Sequence, residues 1–227
     1  MPSGLSGAHA GAWGRRVIIN KRTSSNLQAK DGEFRSSSVG IEDVGELFYL
    51  LESGSDRIGA LDFQSSATQY VPRQHRVTSL EELLASAERV EQGVPLTKEL
   101  DLALQHGTSI GGARPKVLID GDSQNTQGKK FIAKFSSSTD TYSVVKAEFI
   151  AMRLAKKVGI NVADVSLTHA SGKDVLLIER FDRELTDAGW TRKLMVSALT
   201  LFTLDEMMAR YASYETLAEI VRHRFER

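Results

Sequence analysis

The feature that most constrains the fold is a change of hydrophobic period in the second half of the chain. Two short segments of strand-like composition, Lys116–Ile119 and Lys130–Phe135, flank a polar loop. A helical pattern over Ser143–Val158 follows. Two further strand-like segments come next, at 162–169 and 175–181. The order strand, strand, helix, strand, strand predicts an α+β fold in which an antiparallel sheet packs against the helix.

The flanking regions differ from this block, and we expect four parts with boundaries at 1–40, 41–105, 106–183 and 184–227. The first part has the composition of a flexible segment, in which Trp13–Ile19 docks on the body and Thr23–Ser38 is a loop. The second part is expected to be mostly helical. The last part, after Trp190, has a helical pattern.

Two amphipathic helices are predicted within residues 41–105. The first covers 41–52, where Val44, Leu47, Phe48 and Leu51 recur at helical spacing. The second begins at a capping-box pattern, Ser79 with Glu82, in which each side chain satisfies a backbone N–H at the helix start. Its inner face comprises Leu80, Leu83, Leu84, Ala87 and Val90. Charged residues at the other positions are typical of a solvated surface.

Composition excludes several classes of protein. Twenty-nine basic residues balance 29 acidic ones, so no overall charge draws the chain to nucleic acid, and we expect no direct nucleic-acid binding. No apolar run approaches the ~20 residues that a membrane span needs, so we expect no membrane contact. The absence of cysteine excludes disulfides and fits a reducing, cytoplasmic location. The five histidines show no metal-type spacing.

A glycine-containing loop lies directly before the first predicted strand and comprises Ser109, Ile110, Gly111, Gly112, Ala113, Arg114, Pro115 and Lys116. Adjacent glycines let a backbone approach a bulky anion closely and direct N–H groups at it. Arg114 and Lys116 add positive charge at the same place. Glycine-rich stretches are weak signals on their own, so an ordinary turn between a helix and a strand is the alternative.

A lysine interrupts the second predicted strand at position 134. Burying a lysine without a partner is costly, and Glu148 on the next helix is placed to meet it. In protein kinases a glycine-rich loop covers the ATP phosphates, a strand lysine pairs with them, and a helix glutamate holds that lysine. The same three elements follow one another here. The alternative is that Lys134 points to solvent from an edge strand.

The last predicted strand, Val175–Phe181, ends abruptly in charged residues. An apolar run that stops in this way is typical of a buried strand that emerges into a linker. In a kinase this place is the hinge, whose backbone binds the adenine edge.

Four segments together resemble the HipA-like toxin kinases, and they are Gly111–Lys116, Ile132–Phe135, Glu148–Ala155 and Glu179–Arg183. Upstream, Trp13–Arg16 and Asp56–Leu61 are similar to the N-terminal region of the same family. The resemblance extends over about residues 13–220 and is strongest over 107–183. Four segments in the right order are far more specific than any one of them.

The resemblance implies a role for each of these positions. Residues 106–183 would form a kinase-like N-lobe, and 184–227 would begin a helical C-lobe. Lys134 would anchor ATP, with Glu148 orienting it, and Ser109 would match the family's autophosphorylated serine. The predicted ATP-binding residues are Gly111, Gly112, Ala113, Arg114, Pro115 and Lys116 in the loop and Glu179, Arg180 and Phe181 at the adenine pocket. The family also implies a small DNA-binding antitoxin as partner.

The catalytic half of a kinase is missing from the pattern. Phosphoryl transfer needs an aspartate that positions the substrate hydroxyl, a nearby asparagine and a second aspartate for magnesium. In the family these follow the hinge, but the last asparagine here is Asn161, and no Asp-Phe-Gly triplet occurs. We therefore expect neither catalytic residues nor Mg²⁺ ligands, although the family's cofactors are ATP and Mg²⁺.

The leading hypothesis is the ATP-binding portion of a HipA-like serine/threonine kinase, inactive on its own. The alternative is a non-catalytic interaction module that binds an antitoxin or a separately encoded C-terminal kinase half. A third reading is a decayed gene product without function. Nucleotide binding discriminates between the first hypothesis and the other two.

Overall fold

The computed structural model of the chain describes residues 8–30, 45–73, 78–97, 107–121 and 126–225, with side chains omitted at 25–30 and 206. Its helices are α1 (Ala12–Lys30), α2 (Glu46–Glu52), α3 (Leu80–Glu91), α4 (Val144–Lys157), α5 (Ala198–Phe202) and α6 (Tyr214–Arg224), with a 3-10 helix at Glu206–Tyr211. Its strands are β1 (Lys116–Asp120), β2 (Lys130–Phe135), β3 (Val165–Ala170), β4 (Lys173–Glu179), β5 (Arg183–Thr186) and β6 (Gly189–Arg192).

Strands β1 to β4 form one antiparallel sheet in the order β1-β2-β4-β3, with α4 inserted between β2 and β3 along the chain. The predicted order of strands and helix and the α+β class are confirmed. Lys134 on β2 lies opposite Lys116 on β1 and Leu176 on β4. Because paired residues in a sheet point to the same face, the two lysines share one face. Because β2 lies between β1 and β4, it is an interior strand of the sheet.

The main hydrophobic core joins the other face of the sheet to α1 and α3. Its buried members are Trp13 and Val17 from α1, Leu83, Leu84, Ala87 and Val90 from α3, Leu96, and Val117, Ala133, Phe135, Ala170 and Val175 from the sheet. The predicted inner face of α3 is confirmed, and so is the Ser79 half of the capping box, since Ser79 Oγ accepts a hydrogen bond from the Glu82 N–H. The sheet is therefore held from one side by the N-terminal helices.

The expected docking of Trp13–Ile19 on the body is confirmed, since Trp13, Val17 and Ile18 are buried. The loop expected over 23–38 is wrong up to Lys30, because residues 12–30 form the continuous helix α1 rather than a flexible segment. Polar hydroxyl residues made this stretch look like a loop, but Thr23 Oγ1 and Ser24 Oγ donate to the carbonyls of Ile19 and Asn20 within the helix. Burial of Trp13 and Val17 then outweighs weak local propensity. Residues 31–40 lie outside the described parts.

The helix expected over 41–52 is confirmed at Glu46–Glu52, although Val44 lies outside the described residues. Its buried residues are Tyr49 and Leu50, whereas Leu47, one of the apolar residues at helical spacing, is 64% exposed. Tyr49 joins Ala10 and Ile18 in a second, smaller core cluster. The short helix therefore faces α1 rather than the sheet.

The part of the chain expected to be a helical lobe, 184–227, begins with strand, and the helical pattern expected after Trp190 is wrong for residues 191–192. Strands β5 and β6 form a two-stranded hairpin there, whose turn ends at Gly189 with φ of +104°. Helices follow only from Ala198. None of the helices in the described ranges is long and apolar enough to cross a lipid bilayer.

Candidate functional site

An ion pair between β2 and α4 forms the centre of the candidate site. Lys134 Nζ lies 2.6 Å from Glu148 Oε1, and the two side chains are 27% and 34% exposed. Ser143 caps the start of α4 by accepting from the Lys146 N–H, which fixes the helix that carries Glu148. The alternative of an edge-strand lysine in solvent is excluded, because β2 is an interior strand and Lys134 is paired.

The glycine loop lies beside this pair. Lys116 Nζ donates a hydrogen bond to Gly111 O at 3.0 Å, and Lys116 is directly opposite Lys134 in the sheet. Gly112 has φ of +93°, and a side chain there would start 3.2 Å from Lys116 Nζ. Glycine is therefore favoured by the backbone conformation, in which a side chain would be strained. Gly111 and Gly112 are themselves exposed to solvent.

The site carries an excess of positive charge. Burial, followed by the positive charge of Lys134, lowers the pKa of Lys116 to about 8, and the Glu148 carboxylate offsets this only in part. Lys116 is 4% exposed, so its ammonium group is poorly solvated. Two ammonium groups thus face one carboxylate beneath an exposed glycine backbone. A bound anion would restore the balance of charge.

Arg114, Pro115 and Ser109 have structural partners, whereas Ala113 is exposed. Arg114 forms an ion pair with Asp140, and its side chain is 47% exposed. Ala113 is exposed, and Pro115 is buried with its carbonyl accepting from the Phe135 N–H at 3.1 Å. Ser109 Oγ accepts a hydrogen bond from the Ile58 N–H at 3.2 Å. The segment that contains Asp56–Leu61 therefore contacts the start of the loop.

The predicted adenine-pocket residues lie at the end of β4. Glu179 pairs with Lys129 at 2.6 Å, and Phe181 is 64% exposed. The Arg180 N–H donates to Lys130 O at 2.8 Å, so it belongs to the sheet. These three residues line a cavity of about 290 Å³ with Lys156 and residues 160–164. Residues 109–116 and Lys134 are not among the residues that line this cavity.

A buried charge cluster at the same place was missed by sequence reasoning. Arg180 and Arg183, 1% and 2% exposed at their side chains, both pair with Asp56 and Asp182. Asp182 Oδ2 also accepts from the Gly59 N–H at 2.8 Å. The charged end of β4 signalled part of this cluster, but its partner Asp56 is more than 120 residues away. The cluster therefore holds the 56–59 segment against residues 180–183, which follow β4.

In the part of the chain that the structure describes, no group of three or more histidine, cysteine, aspartate or glutamate side chains could hold a metal ion. A magnesium ion that is bound with a nucleotide needs only one or two protein carboxylates besides phosphate and water ligands. The lysines and exposed glycines have the chemistry that suits an anionic ligand.

The glycine loop, the Lys134–Glu148 pair and the sheet lie within a region that matches a known protein family. The HipA-like C-terminal domain family matches residues 108–227, which begin at the glycine loop. The chain belongs to this family. The resemblance drawn from four short segments is thereby confirmed. The HipA-like match includes Lys134, Glu148 and all six strands found in the described parts of the chain.

Two curated relatives of this HipA-like chain carry kinase names. The serine/threonine-protein kinase toxin HipA of Shewanella oneidensis MR-1 is 30% identical over 158 residues, 66% of this chain and 35% of the relative. The putative kinase Y4mE of Sinorhizobium fredii NGR234 is 32% identical over 166 residues, 65% of this chain and 37% of the relative. The chain spans about a third of the length of these relatives.

One solved structure shows the same fold. A chain in the complex of HipA, HipB and operator DNA from Shewanella oneidensis MR-1 superposes with a TM-score of 0.53 at 20% sequence identity. The match covers 96% of this chain and 49% of that one. The N-terminal helices outside the family match thus belong to the shared fold.

Proposed function

We propose that this chain is the ATP-binding portion of a HipA-like serine/threonine kinase, with residues 106–183 as a kinase-like N-lobe. The observation that carries the proposal is the 2.6 Å Lys134–Glu148 ion pair beside the Lys116–Gly111 contact. ATP, when bound, supplies the phosphoryl group. Lys134 and Lys116 would bind its phosphates, Glu148 would keep Lys134 oriented, and the 111–116 backbone would lie against the phosphates.

Phosphoryl transfer by this polypeptide alone is not part of the proposal. Positioning of the nucleophile and metal-borne charge stabilisation supply most of this catalysis. The sequence after Arg183 contains only Asp187 and Asp205 as aspartates, and neither stands in a kinase motif. We therefore propose that magnesium enters with ATP and that its protein ligands come from outside this chain.

Calorimetric titration with MgATP tests the proposal. The wild-type chain should bind, and Lys134→Ala should weaken binding by about 10- to 100-fold, because a hydrogen bond to a charged group contributes roughly 1.5–3 kcal/mol. Lys146→Ala is the matched control. Its ammonium group also forms an ion pair, with Asp174 at 2.9 Å, but the side chain is 54% exposed. Equal affinity of the wild type and Lys134→Ala would refute the assignment.

A second candidate, a protein-interaction module, is favoured by the apolar surface. Large apolar side chains are strongly exposed near the end of the chain, including Tyr214 at 92%, Met207 at 83% and Leu194 at 81%. Exposed apolar surface of this kind marks interaction sites. A small DNA-binding antitoxin, by analogy with the solved complex that contains HipB, or a separately encoded kinase half would cover it. Binding of such a partner without any binding of MgATP would favour this candidate.

A further inference from the structure

The N-terminal end of α1 lies against the backbone of the glycine loop. The Trp13 backbone N–H donates to Gly112 O at 3.0 Å, and its indole Nε1–H donates to Lys116 O at 2.9 Å. One residue, which is 0% exposed, thus contacts both the middle and the end of the loop. A buried tryptophan that satisfies two backbone carbonyls leaves them little freedom to move.

Two glycines permit this contact: one directly precedes α1, and the other lies in its first turn. A methyl group at Gly11 would lie 2.7 Å from Gly112 N and 2.9 Å from Gly111 Cα. One at Gly14 would lie 2.1 Å from Thr108 O. All of these neighbours are backbone atoms, which cannot rotate away as a flexible side chain can. The two glycines therefore serve close backbone packing along 108–112.

The contact also determines which way the loop presents its N–H groups. In a trans peptide the carbonyl and the following N–H point to opposite sides of the backbone. The structure has no cis peptide among its described residues. Because Gly112 O is directed at α1, the Ala113 N–H is directed away from α1, at a residue that is exposed. A donor of this kind suits a phosphate oxygen.

We infer that the start of α1 is a brace that holds the glycine loop in its phosphate-binding conformation, with Gly11, Trp13 and Gly14 as positioning residues. The inference rests on the proposed function of the loop. A helix that only stabilised the core would contact the sheet through Trp13 and Val17 and leave the 108–112 backbone alone. Here the contacts fall on the loop itself.

Hydrogen–deuterium exchange of the ligand-free protein tests the brace without requiring ATP. Gly11→Ala should speed exchange in peptides that cover 107–116 by roughly tenfold or more, because overpacking displaces the loop. Exchange in β2 and β4 should be unchanged. Gly45→Ala is the matched control, since a methyl group there meets nothing within 4 Å. Unchanged exchange over 107–116, or an equal increase throughout the chain, would overturn the inference.

Calorimetry on the same proteins separates the brace from the proposed function. Gly11→Ala should bind MgATP at least about fivefold more weakly than the wild type and Gly45→Ala. If the wild type does not bind MgATP, the proposed function fails while the exchange data still decide the brace. Trp13→Phe, which removes the indole donor to Lys116 O and keeps an aromatic ring at this buried position, provides a milder variant should Gly11→Ala not fold. It should show the same local increase in exchange, and its absence counts against the brace.

Discussion

Asp56 holds together the buried charge cluster that joins the 56–59 segment to the end of β4. Its Oδ1 accepts from Arg183 Nε and Nη2 at 3.1 and 2.9 Å, and its Oδ2 accepts from Lys130 Nζ at 3.3 Å. Arg180 Nη1 lies 3.1 Å from Oδ2 but makes no hydrogen bond there. Asp56→Asn keeps the shape of the side chain and removes its negative charge. The cations Lys130, Arg180 and Arg183 then have one carboxylate fewer to balance them.

The pKa of Asp56 sets the expected magnitude. Burial alone would raise this pKa, but the charges of Arg180, Lys130 and Arg183 together lower it from 3.8 to about 2. A shift of this size corresponds to about 2 kcal/mol of stability at neutral pH. Removing one partner of a buried pair can cost ~3–5 kcal/mol. We therefore expect Asp56→Asn to lower the free energy of unfolding by about 2 kcal/mol or more.

Urea unfolding followed by circular dichroism measures this change. Asp164→Asn is the control, because its ion pair with Lys156 is more than half exposed at both side chains and should contribute less than ~1 kcal/mol. The lowered pKa means that the charged form of Asp56 stabilises the folded state above about pH 4, and that this stabilisation is lost as pH falls toward 2. The difference between the wild type and Asp56→Asn should shrink over that range. If Asp56→Asn lowers the free energy of unfolding at pH 7 by no more than Asp164→Asn does, the reasoning is refuted.

Three further outcomes are expected. Ser79→Ala should lower the free energy of unfolding by about 1 kcal/mol, since it removes the cap bond to the Glu82 N–H, and an unchanged melting temperature would contradict this. Glu148→Gln should weaken MgATP binding several-fold, or about 1 kcal/mol, because Lys134 loses its charged partner but keeps its own charge. A loss equal to that of Lys134→Ala would show that Glu148 does more than orient. The purified chain should transfer no labelled phosphate from ATP above the Lys134→Ala background, and transfer above it would show that catalytic groups are present.

The sheet, α3 and α4 could be predicted because their signals are local. Alternating apolar residues, a capping box at Ser79 and a glycine after α4 each specify an element from neighbouring residues alone. The Lys134–Glu148 pair followed from the same reasoning, since a strand lysine among apolar residues needs a partner on the next helix. Its partner is only 14 residues away.

The features that were missed depend on distant parts of the chain. Helix α1 contains β-branched and hydroxyl residues with weak helix propensity, and it is stabilised by packing of Trp13 and Val17 on the sheet. The β5–β6 hairpin has two strands of four residues with mostly exposed side chains, so no apolar pattern marks it. The Asp56 cluster unites residues more than 120 positions apart. The approach of Gly11 to Gly112 is likewise visible only in three dimensions.

Labelling with an acyl-phosphate derivative of ATP tests most directly whether this loop and its lysines form one phosphate site. A lysine amine beside the bound phosphates attacks the acyl carbon, the amide forms and the nucleotide leaves, so the label marks the neighbouring lysine. The proposed site predicts labelling at Lys134 or at Lys116, whose pKa of about 8 leaves more neutral amine than an ordinary lysine has, and loss of that label in excess ATP. Labels spread over exposed lysines such as Lys146 and Lys173, undiminished by ATP, would contradict it.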